Sequence, residues 1–212
     1  VFGHVGIDLF AGPSEIAIIA DEQADPAYVA ADLLSQAEHD EMAVAVLLTP
    51  SGVLAEAVLL EVQKQQKLLP VERSEVIRKS LETHGVIIVT YDLPEAIRLV
   101  NEMAPEHLSL QVRNSDKVLE KITHAGAVFL GSMTPQTLGD YVAGPSHVLP
   151  TGGTARFSSP LSVEDFVKRS SVISYSIQGL KKEGAAAVRL AQAEGLWAHA
   201  RAVDIRLEKR GT

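Results

Sequence analysis

Residues 16–48 read IAIIADEQADPAYVAADLLSQAEHDEMAVAVLL. Ile16–Ala20 is an unbroken apolar run behind the Gly12-Pro13 turn, the pattern of a buried strand. Asp25-Pro26 then supplies an N-cap followed by proline at the first helical position. Val29, Leu33 and Ala37 recur at helical spacing, so a helix is predicted from there to about Asp40. Ala43–Leu48 is a second buried strand. Strand, helix, strand within some thirty residues is the signature of a crossover unit, and it predicts a parallel pair.

The same alternation continues outward. Helices are predicted over Ser51 to about Lys67, Glu72 to Glu82, Pro94 to Met103 and Ser115 to His124. Val86–Thr90 and Ala127–Leu130 read as strands, and Leu108–Val112 alternates like a half-buried one. After Gly131 the character changes. Residues 131–159 are rich in Gly, Pro, Ser and Thr, with no helical period, and are predicted to form one long loop of the kind that carries function. Ser162–Lys168 reads as a short helix and Val172–Ser176 as a strand. Leu180 to about Leu207 is helical, punctuated by Gly184 and Gly195. The expected fold is α/β, a largely parallel sheet with flanking helices, plus a helical C-terminal tail.

The chain has 212 residues, 46% of them apolar and 22% charged, which suits a globular core and excludes disordered and fibrous classes. Nineteen Lys and Arg stand against 27 Asp and Glu, giving −8. That balance disfavours nucleic acid and anionic membranes as partners. No apolar run reaches the length of a membrane span. Cysteine is absent, which excludes disulfides, thiolate metal sites and a cysteine nucleophile, and a cytoplasmic location is expected. The chain opens Val-Phe-Gly-His without Met, as a fragment or processed product would.

Four clusters could carry chemistry. Gln36 and His39 are three residues apart near the end of the first helix, a spacing that suits two ligands of one metal or a polar helix end. Glu106-His107 opens a strand; a histidine titrates near neutrality, and an adjacent carboxylate can tune it or activate water. Such a pair lies where α/β proteins place active sites, or it is a plain surface dipeptide. Asp140 and His147 lie in the long loop, where Asp140 is either a metal donor or a turn-capping residue. Leu196, His199 and Val203 share one helical face of the tail, where a histidine is usually part of a core or an interface. His84 and His124 stand near glycines at expected helix ends and invite no functional reading. Together Gln36, His39, Asp140 and His199 would make a nitrogen and oxygen set suited to zinc, although spacing alone does not bring them together. No G-x-G-x-x-G, no G-x-x-x-x-G-K-[ST] and no H-E-x-x-H occurs.

The strings AGPSE (11–15), DLLSQAEHD (32–40), APEHL (104–108), GAVFLG (126–131), GDY (139–141), GPSHVLPTGG (144–153) and EGLWAH (194–199) together resemble histidinol dehydrogenase. They stand in that family's order and span nearly the whole chain. The resemblance implies a zinc-dependent, NAD-linked oxidation of L-histidinol to L-histidine through the aldehyde, in histidine biosynthesis. It implies one Zn2+ per site, held by Gln36, His39, Asp140 and His199. Glu106 and His107 resemble the catalytic pair, His107 as the base for the alcohol proton and Glu106 as the group that activates water. Ser14, His147 and Glu194 match substrate-contacting positions, as do Gln36, His39, His107, Asp140 and His199. The family works as a homodimer whose tail crosses to the other subunit.

Family members are about twice this length. By resemblance, residues 1–13 are the remnant of a linker from a missing N-terminal half, 14–161 an incomplete Rossmann-like zinc and substrate domain, and 162–212 a tail exchanged between subunits. The missing half carries the NAD contacts, so no cofactor-binding residue is assigned in this chain, and the chain alone is expected to be inactive. Two other readings fit the same motifs. One is a dehydrogenase of the same superfamily for another polar alcohol, such as a dihydroxypropane sulfonate, which Glu194 disfavours by repulsion. The other is a non-catalytic fragment kept for assembly or metal binding.

Overall fold

A computed structural model describes residues 3–208. Val1 and Phe2 of the expected linker, and residues 209–212 of the expected tail, lie outside the described residues. The chain divides into two compact units, one ending at Phe166 and the other beginning at Val167.

The first unit is an all-parallel sheet of five strands: β1 (Glu15–Ala20), β2 (Val44–Thr49), β3 (Gly85–Val89), β4 (His107–Gln111) and β5 (Ala127–Leu130). Their order across the sheet is β3-β2-β1-β4-β5. Between them run α1 (Pro26–Ala37), α2 (Gly52–Gln66), α3 (Val71–His84), α4 (Leu93–Met103) and α5 (Ser115–Leu119). Local chemistry fixes the helix starts. Asp25, Ser51 and Asp92 cap α1, α2 and α4, their side chains accepting from the N–H groups of Ala27, Leu54 and Glu95.

Two cores sandwich the sheet. Ile16, Ile18, Ala45 and Leu47 pack against α1, α2 and α3. Ala17, Ile19, Val46, Leu48, Leu108 and Leu110 pack against α4 and α5. Strand alternation therefore turns His107, Ser109 and Gln111 to the α1 side of β4. All three are buried.

Several expectations need correction. The helix expected to run to Asp40 ends at Ala37, because Glu38 caps it and Asp40 takes up the Met42 N–H in a turn. The helix expected to reach His124 ends at Leu119. β4 is fully buried, not half-buried, since its polar residues also lie under neighbouring elements. The long loop is not structureless. It holds α6 (Gln136–Tyr141) and a 3₁₀ turn at Thr154–Arg156. The expected helix over Ser162–Lys168 is only a 3₁₀ turn, Val163–Phe166.

The second unit is a helical hairpin, α7 (Ile177–Ala193) and α8 (Trp197–Glu208). Gly195 sits between them with φ of 75°, the left-handed conformation that ends a helix. At Gly184 the helices touch closely, where a Cβ would meet Val203 and Leu207 at 3.1 and 3.2 Å. Val172–Ser176 is not a strand, for no second strand pairs with it among the described residues. Gly184 and Ala200 are the only buried residues of this unit among those described, while Val172, Ile173, Leu190 and Trp197 are exposed. No described helix is long and apolar enough to cross a membrane.

Candidate active site

Parallel strands joined by helices put all strand starts at one edge of the sheet. Ser14-Glu15 enters β1 there, Glu106-His107 enters β4 beside it, and Ile16 pairs in register with His107. α1 leaves the far end of β1 and returns, so Gln36 in its last turn reaches this same amino edge. Open α/β sheets usually bind ligands at the carboxyl edge. Here the polar groups gather at the opposite one, which corrects the placement expected for Glu106-His107. At the carboxyl edge between β1 and β4, Asp21 closes the gap instead, its N–H donating to the Gln111 carbonyl and its Oδ2 accepting from the Arg113 N–H.

α4 delivers the pair through a bend. Ala104, with φ of 52° and ψ of 61°, is the only non-glycine residue at positive φ among those described. It is wholly buried, and Pro105 follows it, so the chain turns sharply into Glu106. Gly126 packs against this turn: a Cβ there would stand 2.6 Å from the Glu106 carbonyl oxygen.

Glu106 Oε2 accepts from Ser14 Oγ at 2.6 Å and from the Glu15 N–H at 2.9 Å, and lies 3.4 Å from His107 Nδ1. Burial pushes this carboxyl up. The hydrogen bond and charge of His107, with the Ser14 and Glu15 bonds, more than offset it and hold the group below the usual glutamate range. Burial pulls the other way on His107, disfavouring its cation. Glu106 outweighs that, with the Glu15 carbonyl and Asp140 adding to it, so the imidazole sits above its ordinary value.

His107 Nδ1 is 3.1 Å from the Glu15 carbonyl oxygen. A carbonyl only accepts, so Nδ1 carries the proton there and the neutral ring keeps its lone pair on Nε2. Nε2 is buried without a hydrogen bond, 3.7 Å from Asp140 Oδ1. Phe129 flanks the ring at a centroid distance of 6.0 Å.

Other expected site residues fall as follows. Gln36 is wholly buried, and neither oxygen nor nitrogen of its amide has a partner. An uncompensated buried amide costs on the order of 1–3 kcal/mol, so a ligand for it is physically favoured. His39 lies two residues past α1 and is exposed, although its N–H still donates to the Gln36 carbonyl. Asp140, in α6, is partly buried. His147 is exposed and shares with Asp140 a cavity of about 380 Å3, also lined by Phe129, Thr134, Leu138 and Ser146. That volume suits a small-molecule ligand. Glu194 caps α7 and His199 lies in the first turn of α8; both are exposed within the second unit. His199 is therefore not a core histidine of the second unit.

No three His, Asp or Glu side chains close on one point among the described residues. Within the first unit the expected set supplies the Gln36 amide and only two such side chains, His39 and Asp140; its third, His199, belongs to the second unit.

Two residues of the first unit were not expected. Glu15 is buried, and its Oε1 accepts from the N–H groups of Glu106 and Gly152. Gln136, also buried, donates to Asp140 Oδ2 at 3.4 Å, and its own Oε1 has no partner. The available signal for Glu15 was its place beside the Glu106-His107 pair, since Glu15 and Glu106 each stand one residue ahead of the register partners Ile16 and His107.

The family model for histidinol dehydrogenase matches residues 1–207. A histidinol dehydrogenase from Halalkalibacterium halodurans is 59% identical over 208 residues, 98% of this chain and 49% of the relative. One from Geobacter metallireducens is 54% identical over 211 residues, all of this chain and 48% of the relative. The crystal structure of histidinol dehydrogenase from Elizabethkingia anophelis superposes with a TM-score of 0.91 at 39% identity, covering 98% of this chain and 47% of that one. The chain thus spans about half the length of the curated relatives it matches.

Proposed function

The chain belongs to the histidinol dehydrogenase family, and from that premise we propose that it supplies the zinc site and the proton-transfer pair for NAD-linked oxidation of L-histidinol to L-histidine through the aldehyde. The observation that carries this reading is the buried Glu106–His107 pair, with Nε2 free and turned toward Asp140.

In the first oxidation, His107 Nε2 takes the hydroxyl proton of the alcohol. The Glu15 carbonyl keeps Nδ1 protonated, so only Nε2 is basic. In the second, Glu106 takes a proton from the water that adds to the aldehyde carbon. Its depressed pKa keeps it ionised and ready. Ser14 Oγ and the Glu15 N–H hold the carboxylate in place through Oε2. His147, which lines the same cavity as Asp140, contacts the substrate's polar end.

The donor set fits zinc: the orphaned Gln36 amide and Asp140 supply oxygens, His39 and His199 imidazole nitrogens. When bound, zinc would orient the substrate's amine and imidazole nitrogens and add positive charge beside the two carboxylates. The Glu106 and Asp140 carboxyl groups beside His107 favour a cationic amino alcohol over a sulfonate. Glu194 would meet the amine. The exposed apolar residues of the second unit suit docking on another subunit, and we place the working site in a homodimer. A small-molecule biosynthetic reaction of this kind belongs in the cytoplasm.

When bound, NAD would accept the hydride of each oxidation; no phosphate-cradling glycine motif in this chain marks residues that would hold it.

The test is absorbance of reduced NAD produced by the whole protein with zinc and histidinol. Two equivalents per substrate are expected. No oxidation of histidinol, with turnover of a dihydroxypropane sulfonate, would assign the site to the other substrate class. No turnover of either would leave an assembly or metal-binding role.

A further inference from the structure

Glu15 is joined to Glu106 and His107 at three points. Its N–H donates to Glu106 Oε2 at 2.9 Å, and its carbonyl accepts from His107 Nδ1 at 3.1 Å. Its side chain returns the contact: Oε1 accepts from the Glu106 N–H at 3.3 Å. The same oxygen accepts from the Gly152 N–H at 3.0 Å. Gly152 belongs to a glycine-rich turn that is tied back once more, since Thr151 Oγ1 accepts from the Gly12 N–H at 2.7 Å.

A carboxylate this deep is costly, all the more beside a second one. Glu15 is 8% exposed and has no cationic partner; only N–H groups meet it. A residue needed merely to begin a strand would not require a buried acceptor oxygen. The backbone contacts explain what that acceptor does. They place the Glu15 carbonyl and N–H against the two catalytic side chains, and the carboxylate fastens Glu106 and the 151–153 turn to that same backbone.

We infer that Glu15 is a positioning residue for the Glu106–His107 pair: its carboxylate locks the entry of β4 and the Gly152 turn onto the start of β1, so that Nδ1 of His107 and the carboxylate of Glu106 keep their orientation. This rests on the proposed dehydrogenase reading for its kinetic consequence, but not for the lock itself.

The experiment uses the whole enzyme with zinc and three substitutions. Glu15→Gln keeps an oxygen in the same place. Glu15→Met keeps the length and removes the acceptor. Glu15→Asp keeps the charge but falls about 1.5 Å short. Amide hydrogen exchange at Glu106 and Gly152 is read beside kcat and KM for histidinol and zinc content. Glu15→Met and Glu15→Asp are expected to speed both amides at least tenfold and to lower kcat at least tenfold. KM should stay within threefold and zinc content unchanged. Glu15→Gln should restore kcat and protection to within threefold of wild type. Should the methionine variant fail to fold, the aspartate variant decides alone.

Unchanged exchange in the aspartate variant overturns the lock. Faster exchange with kcat within twofold of wild type overturns the positioning role. A Gln variant as impaired as Asp overturns it too, because charge and not the acceptor would then matter. If wild-type enzyme does not oxidise histidinol at all, the functional reading fails, and exchange still decides the lock.

Discussion

Asp32 offers a quantitative test of how this sheet tolerates polar groups. It lies on α1 one turn before Gln36, is 8% exposed, and accepts at Oδ2 from Gln111 Nε2 at 2.8 Å. Burial pushes its carboxyl from the ordinary 3.8 to about 6, with the Gln111 bond only partly opposing the rise. A raised folded value means the native state holds its proton more tightly than the unfolded chain does. The contribution to stability is therefore fully present below about pH 3.8 and is lost as pH climbs through about 6. The gap between those values amounts to roughly 3 kcal/mol once the loss is complete. Asp32→Asn removes the titration. Its amide oxygen still accepts from Gln111, and its new N–H₂ can donate to Gln111 Oε1, which has no partner now. The variant is expected to be more stable than wild type at pH 8 by roughly 1–3 kcal/mol, the advantage shrinking as pH falls and nearly gone by pH 4. Urea unfolding of both proteins at matched ionic strength from pH 4 to 8 measures the difference, in which every other titrating group cancels. No advantage at pH 8, or one that stays constant with pH, would refute the reasoning.

Three further outcomes follow from the site. His107→Asn should slow histidinol oxidation by roughly 10²–10⁴-fold, the usual worth of a general base, while zinc content stays at wild-type level; an unchanged rate removes His107 from proton transfer. His199→Ala should lower zinc per chain in the whole enzyme, as measured by elemental analysis after dialysis, and undiminished zinc would strike it from the ligand set. Gly126→Ala drives a methyl group to 2.6 Å from the Glu106 carbonyl oxygen and should cost roughly 1–3 kcal/mol in thermal unfolding, with activity falling in the fraction that remains folded.

How far the sequence reached depended on whether the deciding contacts were local. The strands at Ile16, Val44 and Val86 announce themselves by apolar runs, and the helices by Asp25, Ser51 and Asp92 caps, all local chemistry. β4 misled because His107, Ser109 and Gln111 alternate with leucines like a solvent-facing row. Their burial comes from elements distant in sequence: Gln111 meets Asp32 of α1, and His107 meets the start of β1 and Asp140 of α6. α6 went unseen because it is only six residues long, with Gly139 inside it and Pro135 at its cap. Val172–Ser176 has a strand's composition without a partner strand, and composition cannot supply the ladder. At the site, Gln36, Glu106, His107 and Asp140 were legible through motif strings. Glu15 was not, because a glutamate before an apolar run looks like any strand entry until its hydrogen bonds are seen.

The proposed zinc site turns on the wholly buried Gln36 amide, which has no hydrogen-bond partner within the described residues. Zinc-edge anomalous diffraction from crystals of the whole protein, grown with zinc and histidinol, addresses it most directly. One strong peak is expected about 2.0–2.2 Å from both Gln36 Oε1 and an Asp140 oxygen. A peak elsewhere, with the Gln36 amide hydrogen-bonded to protein on both sides, would contradict it.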